Sequence, residues 1–268
     1  MPKISIILAA YNAADTLEEA MDSLMEQTLR DFEILLCDDG STDGTAAVAQ
    51  SYAARHPGRV ILLKNGENRG LGAALNRCLA VAQGEYIARM DADDLSLPRR
   101  LELQAAFLDA HPDCALVGCA MTHFDQEGSY RVSCPPEDPQ LRDHLLGTPF
   151  CHGTVMVRRE VYLSLGGYSE SPEHLRVEDA ELWLRLYEAG FRGRDLPEPL
   201  YRMREDRSAA NRRKLSHRFR SARVRLRGMK RLQAPWWYWP LALRPVAVGL
   251  LPGPVYRWLH RRKWRKGP

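Results

Sequence analysis

Hydrophobic and polar positions alternate between two periods over the first two-thirds of the chain. Short apolar runs at 3–10, 32–37, 59–64 and 86–90 read as buried strands. Between them the apolar residues fall at helical spacing. Leu17, Ala20, Met21, Leu24 and Met25 mark a helix over 17–28, and similar stripes mark 45–55, 71–82 and 101–111. Asp15, Thr16 and Glu18 look like a capping-box start for the first helix, and Ser96 before Pro98 like a cap for the fourth. The β-α-β-α-β-α-β alternation predicts an α/β fold, a largely parallel sheet with helices on both faces. Beyond it the pattern predicts a hairpin of 114–124 with 130–133, a helix over 138–146 and a strand over 150–157. Next come a Gly166-Gly167-Tyr168 turn and an amphipathic helix from Leu182, with Glu178 and Asp179 in its first turn.

The last quarter is different. Residues 211–231 are strongly basic at helical spacing. Trp236-Trp237-Tyr238-Trp239 follows, then an apolar stretch to Leu259 and a basic run at 261–266. Pro240, Pro245, Pro252, Pro254, Arg244 and Arg257 break that stretch too often for a membrane-spanning helix. The net charge of +4 conceals an asymmetry. From Arg202 onward there are 20 Lys or Arg against two acids, whereas the first 201 residues carry 18 bases and 32 acids. Trp and Tyr favour the lipid headgroup level and clustered bases are drawn to anionic lipid, so the expected role of the extension is peripheral attachment to an anionic membrane surface. Nucleic-acid binding is the disfavoured alternative, and packing of the extension on the catalytic domain or on another subunit is a third. Six cysteines without Cys-x-x-Cys spacing read as reduced core residues of a cytoplasmic protein. The N-terminal apolar run ends at once in Tyr11 and Asn12 and reads as a strand rather than a signal peptide.

The candidate chemistry lies at strand ends. The 86–90 strand runs into Asp91-Ala92-Asp93-Asp94, three carboxylates in four residues. Ligands of open α/β sheets bind at such carboxyl edges. Packed like charges call for a cation, a proton or solvent, and Mg²⁺ or Mn²⁺ bridging carboxylates to phosphate oxygens is the economical answer. A solvated acidic loop is the plain alternative. The second strand ends in Asp38-Asp39-Gly40-Ser41-Thr42-Asp43-Gly44-Thr45. Asp38 or Asp39 could accept from a base N–H or a ribose hydroxyl, or the loop could be a plain turn with Asp43 capping a helix. The first turn has no Gly-x-Gly-x-x-Gly and the chain no Gly-Lys-Ser/Thr loop, which disfavours NAD, FAD and phosphate-loop chemistry. Glu178 and Asp179 either compensate a helix dipole or serve as a base.

Four features in order carry a resemblance: the first strand ending Ala10-Tyr11-Asn12, the Asp38–Thr45 turn, Asp91-Ala92-Asp93-Asp94, and Glu178-Asp179 followed by Leu182-Trp183. Together, over residues 3–205, the chain resembles the family 2 glycosyltransferases of the GT-A fold, a Rossmann-like α/β/α sandwich. The resemblance implies an inverting sugar transfer from a nucleotide-diphospho-sugar, UDP-linked, to a saccharide or lipid-linked acceptor. By that likeness Asp39 contacts the base, with Asp38, Ala10 and Tyr11 beside it, and Arg69 lies near the base or pyrophosphate. Asp91 sits near the ribose and, with Asp93, at the metal, and Asp179, seconded by Glu178, is the general base. His152 and Trp183 belong to the acceptor side. Many relatives carry Tyr-Arg-x-His near the end of this region, the His close to metal or pyrophosphate. Here the run is Tyr201-Arg202-Met203-Arg204, and Arg204 can pair with phosphate but not ligate a metal. The expected protein is a catalytic domain at 1–205 with a basic, Trp-rich extension at 206–268. It would act on the inner face of the plasma membrane, in cell-surface polysaccharide or glycolipid synthesis. The rivals are a sugar nucleotidyltransferase, whose Gly-rich basic first turn is missing from 8–14, and a non-enzymatic binder using the basic extension.

Overall fold

In the computed structural model, which describes residues 1–205 and 215–250, the first half of the chain builds four parallel strands. These are β1 (Ile4–Ala10), β2 (Phe32–Asp38), β3 (Val60–Lys64) and β4 (Tyr86–Asp91), side by side in the order β3-β2-β1-β4. Helices α1 (Leu17–Met25), α2 (Thr45–Arg55) and α3 (Leu71–Leu79) connect them, and α4 (Arg100–Ala110) follows. Successive strand side chains point to opposite faces, so β1 serves two cores. Ile4, Ile6, Leu8 and Ala10 pack with Leu17, Met21 and Leu24 of α1, Tyr52 of α2 and Leu101 of α4. Ile7 packs on the other face with Ala74, Leu75 and Cys78 of α3. The register sets Ala10 opposite Asp38 and Ala9 opposite Asp91, so β1, β2 and β4 end level at one edge.

The second half extends this sheet to nine strands. Its elements are β5 (Leu95–Ser96), β6 (Leu116–Asp125), β7 (Gly128–Ser133), α5 (Leu141–Leu146), β8 (Met156–Arg158), α6 (Arg159–Leu165), α7 (Glu178–Glu188) and β9 (Gly193–Arg204). The short β8 lies antiparallel between β4 and β6, and β9 runs parallel to β6. The α/β sandwich and the β6–β7 hairpin are as the pattern predicts.

Several local expectations change. Only Met156–Arg158 of the 150–157 run is strand, because His152–Thr154 forms a 3₁₀ turn closed by Thr154 N–H donating to Cys151 O at 3.0 Å. Thr16 makes no capping bond; its hydroxyl donates to Ala92 O at 3.0 Å and ties α1 to the acidic loop. Ser96 lies in β5 and α4 starts after Arg99, so Pro98 precedes the helix. Cys134 is exposed and Cys151 only half-buried, so the core reading holds for the other four cysteines. The 12-residue β9 has no counterpart in the sequence pattern. Pro197 and Pro199 interrupt it, and its pairing with β6 shifts register around Ala120.

After β9, α8 (Leu215–Arg231) packs on α7, and α9 (Trp239–Ala242) and α10 (Arg244–Gly249) fold back on α8. Gly228 lets the α7 and α8 backbones approach, since a Cβ there would stand 2.7 Å from Leu184 Cδ1. Met229, Ala234 and Ala242 form a small core of their own. Among the described residues no helix is long and apolar enough to cross a membrane. The expected helix start at 211–214, the end of the apolar stretch and the basic run at 261–266 lie outside the described residues.

Candidate active site

The level ends of β1, β2 and β4 gather the acidic loops at one edge, and each loop is held by specific bonds. Asn12, with φ +49°, accepts from Thr42 N–H at 2.9 Å, and its own N–H donates to Ser41 Oγ at 3.0 Å. Asp43 accepts from Thr45 N–H and Oγ1 and from Ala14 N–H, so its plain-turn reading is realised. Ala10 is buried, and Tyr11 is exposed beside it.

Asp38 and Asp39 are both buried. Asp38 accepts from Ser41 N–H at 3.1 Å. Asp39 accepts from Asn65 Nδ2 at 2.6 Å, Arg69 N–H at 3.0 Å and Gly70 N–H at 2.8 Å. A carboxylate offers about four acceptor positions, so about one is left for a ligand N–H. Asp39 therefore also folds the 65–70 loop over the edge. Gly40, at φ +72°, permits this closeness, because a Cβ there would lie 2.5 Å from Glu67 C. The Arg69 guanidinium is exposed and pairs with Glu170 at 3.4 Å.

At the end of β4 the three carboxylates separate by environment. Asp94 is buried and accepts from Arg204 N–H at 2.7 Å, fixing the loop to β9. Burial and then the charges of Asp91 and Asp93 push its carboxyl well up. Asp93 is exposed, and its pKa is raised first by desolvation in the crowded loop, then by Asp91. Asp91 is half-buried and paired with Arg89, and its N–H donates to Tyr201 Oη at 3.2 Å. Arg204 donates through Nε to Asp93 O at 2.9 Å and pairs with Glu19. It therefore stands beside the acidic loop, where the Tyr-Arg-x-His comparison expects a group, but its guanidinium is engaged by protein oxygens.

Arg89 is the residue that reading the sequence missed. It sits 2 % exposed in the middle of an otherwise apolar strand. Burial alone would lower its pKa, but the Asp91 carboxylate outweighs that and the pKa rises. A charged residue inside a strand of core residues was the available signal. Its charge also acts on Asp179, His152 and Tyr168.

On that other side Asp179 is half-buried in the first turn of α7, and Ala180 N–H donates to it at 2.7 Å. Burial first, then the neighbouring Glu178 charge, raises its pKa. Glu178 is buried, and Glu181 is taken by Arg185 at 2.8 Å. His152 Nε2 bonds Tyr168 Oη at 2.8 Å, and Tyr168 bonds Tyr162 Oη at 2.9 Å. Burial and the Arg89 charge push the His152 pKa well below its usual value, so the ring is neutral at pH 7. Trp183 is 1 % exposed, edge-on to Phe150 and His152, with its Nε1–H unpaired. It is a core wall behind His152 rather than a surface.

Among the described residues no three His, Cys, Asp or Glu side chains are grouped to hold a metal by themselves. The residues do fit a cation that takes one or two carboxylates and completes its shell from phosphate and water, as Mg²⁺ does. Asp93 is exposed, and Asp91 has one oxygen outside the Arg89 pair.

Comparison with known proteins identifies the family and the fold. The profile of the family described as "Glycosyl transferase family 2" matches residues 5–166. The putative glycosyltransferase EpsE of Bacillus subtilis is 41% identical over 262 residues, 98% of this chain and 94% of that one. The amylovoran biosynthesis glycosyltransferase AmsE of Erwinia amylovora is 34% identical over 215 residues, 78% of this chain and 79% of its own. Among solved structures, S. aureus TarS 1-349 in complex with UDP superposes with a TM-score of 0.66 at 19% identity, covering 91% of this chain and 70% of that one. The mannosyltransferase PcManGT from Pyrobaculum calidifontis, in complex with GDP-Man and Mn²⁺, gives 0.62 at 22% identity, covering 98% and 79%. Those similarities establish the shared fold, and the sequence match establishes descent: the chain belongs to glycosyl transferase family 2.

Proposed function

We propose that the protein transfers a sugar, with inversion, from a UDP-sugar to a hydroxyl of a saccharide or lipid-linked acceptor, in the synthesis of a cell-surface polysaccharide or glycolipid. The observation that carries this reading is Arg89. One buried guanidinium is paired with Asp91 on the donor side and lies within electrostatic reach of Asp179 on the other, so both roles share one centre. The product class follows the printed role of AmsE in amylovoran biosynthesis, and the base follows the UDP held by TarS.

In this reading the nucleotide lies on the Ala10–Tyr11 and Asp38–Asp39 edge, under the 65–70 loop that Asp39 folds. Asp39 offers its remaining acceptor position to the base N–H, and Arg69 exchanges Glu170 for pyrophosphate. Asp93 and the outer oxygen of Asp91 would hold Mg²⁺ or Mn²⁺, which when bound offsets the charge developing on the departing diphosphate. Arg204 adds a fixed positive charge beside the same loop, in the place of a metal-ligating His. Asp179 takes the proton of the attacking hydroxyl. Its raised pKa makes it a stronger base than an exposed Asp. Neutral His152, held by Tyr168, can accept a hydrogen bond from the acceptor or orient it. Direct displacement needs only one base, so no carboxylate is used as nucleophile. The protein works on the inner face of the plasma membrane, held there by the basic, aromatic extension.

The test is thermal unfolding with UDP, GDP, dTDP or CMP, each with Mn²⁺, Mg²⁺ or EDTA. Ligand at a hundred times Kd adds about 2.7 kcal/mol to the native state. UDP with a divalent cation is expected to stabilise, and Asp93→Ala to abolish the metal-dependent part. Asp179→Asn is expected to keep the shift and lose at least about a hundredfold in turnover. Undiminished turnover in Asp179→Asn would overturn the assignment of the base.

A further inference from the structure

We propose that His123 and Glu205 are positioning residues for the donor site: they form a hydrogen-bonded latch between the β6–β7 hairpin and the end of β9 that fixes Arg204 and, through it, the Asp93–Asp94 loop. The inference rests on the glycosyltransferase reading, because it gives this latch the task of holding that loop ready for a cation and a diphosphate.

His123 is buried, and both its ring nitrogens are engaged. Nδ1 lies 2.9 Å from Glu205 Oε2, and Nε2 lies 2.8 Å from Ser133 Oγ and 2.6 Å from Arg131 Nη2. A guanidinium only donates, so Nε2 accepts and the ring hydrogen sits on Nδ1, aimed at the Glu205 carboxylate. That bond lowers the Glu205 pKa against the opposing effect of burial. Two backbone bonds close on the same residue. Tyr130 Oη donates to Glu205 O at 3.1 Å, and Glu205 N–H donates to Phe124 O at 2.9 Å. The pairing of β6 with β7 shifts register between His123 and Phe124. Such irregularities re-aim side chains, and this one falls between the residue that holds Glu205 and the residue that supports Arg204.

What the latch holds is the neighbour of Glu205. Arg204 N–H donates to Asp94 at 2.7 Å, its Nε donates to the Asp93 carbonyl at 2.9 Å, and its guanidinium lies 4.6 Å from the centre of the Phe124 ring. Arginine does not ligate a metal, so protein contacts alone set its place. Through these contacts the end of β9 grips the loop at both Asp93 and Asp94. Carboxylates hold a cation well only when the groups behind them are themselves fixed. The support for the donor loop thus runs from Arg131 and Ser133 through the His123 ring to Glu205, and from there along the backbone to Arg204.

The experiment has two readouts on the full chain. Hydrogen exchange at the Arg204 amide is measured in EDTA without nucleotide. The Mn²⁺ concentration that gives half of the UDP-induced thermal shift is measured in the same variants. Glu205→Ala is expected to speed the exchange and to raise the half-saturating Mn²⁺, each by about tenfold, the worth of one charge-assisted bond. The Glu205 side chain is 39 % exposed, so its removal leaves the core filled. Glu205→Gln, which can still accept from Nδ1–H, is expected to recover most of both losses. Tyr52→Phe on α2, which gives up bonds to Glu18 O and Asp22, is expected to melt earlier and leave both readouts unchanged. Wild-type values in Glu205→Ala would overturn the inference. So would equal losses in Tyr52→Phe, which would reduce the effect to lowered stability. Glu205→Gln as impaired as Glu205→Ala would overturn the hydrogen-bonded latch in favour of a bare charge. Absence of a UDP shift in the wild type would count against the transferase reading, and the exchange readout, which needs no nucleotide, still decides whether the latch holds Arg204.

Discussion

Asp195 offers a sharp test of the electrostatics of this fold. It lies on β9 opposite Gly118 of β6, is 3 % exposed, and neither carboxylate oxygen finds a hydrogen-bond partner among the described residues. Gly118 makes the room, since a Cβ there would collide with Asp195 Oδ1. Burial raises the carboxyl from its ordinary 3.8 to about 8. Between these values the unfolded chain has released the proton and the native protein retains it. The native state thus binds more protons, and stability falls as pH rises, by roughly 1.4 kcal/mol per pH unit, levelling above about pH 8. Between pH 5 and 7 this one residue removes about 2.7 kcal/mol. Asp195→Asn, close in shape and uncharged, abolishes the dependence. Urea unfolding of both proteins at pH 5, 6, 7 and 9 checks it. The stability of the variant relative to wild type is expected to climb by the stated slope from pH 5 to 7 and to be flat beyond about 8. A difference that stays constant with pH would refute the reasoning, since it would mean that Asp195 ionises in the native state as it does in water.

Gly40→Ala forces an L side chain to φ +72° against the backbone of Glu67, with an expected loss of about 1–3 kcal/mol in urea unfolding. Because the displaced 65–70 loop also carries Arg69, UDP affinity measured by titration is expected to fall as well, and intact affinity would detach that loop from the nucleotide site. Arg89→Gln leaves Asp91, Asp93 and Asp94 without their buried counter-charge. The variant is expected to melt earlier than wild type in EDTA and to regain more from Mn²⁺, and an equal Mn²⁺ shift in both proteins would argue that the loop acids do not share a cation.

The regular elements were legible because their periodicity was strong. β1, β2 and β4 are nearly uniform apolar runs, and α1 and α3 present clean stripes, so burial on both faces of a sheet is written in the residues themselves. The acidic loops were legible for the same reason, since polar clusters end apolar strands abruptly. β9 was not, because Pro197 and Pro199 suppress the strand pattern and its ladder with β6 forms only after a long excursion of the chain. The His152 turn was read as strand because Val155, Met156 and Val157 beside it are apolar and buried, while the turn depends on Gly153 packing beneath the Tyr201 hydroxyl, where a Cβ would stand 2.5 Å away. Arg89 was hidden by its neighbours, for an apolar run with one charge still reads as a strand.

The sequence by itself determined the alternation of strands and helices, the presence of acids where strands end, and the basic, aromatic character of the last quarter. These are local properties, set by side-chain period and turn chemistry within a few residues. Only the tertiary structure decided that Asp39 folds the 65–70 loop, that Arg204 returns from 110 residues downstream to the Asp94 loop, and that α8 lies on the helix bearing Asp179. It also decided that Arg89 is buried and paired with Asp91, with Asp179 within electrostatic reach. Each of these pairings depends on distances through space between residues far apart in the chain. Burial then raises the carboxyls of Asp195 and Asp179 and lowers the His152 ring, and no reading of neighbouring residues contains the dielectric that surrounds a side chain once the chain has closed over it.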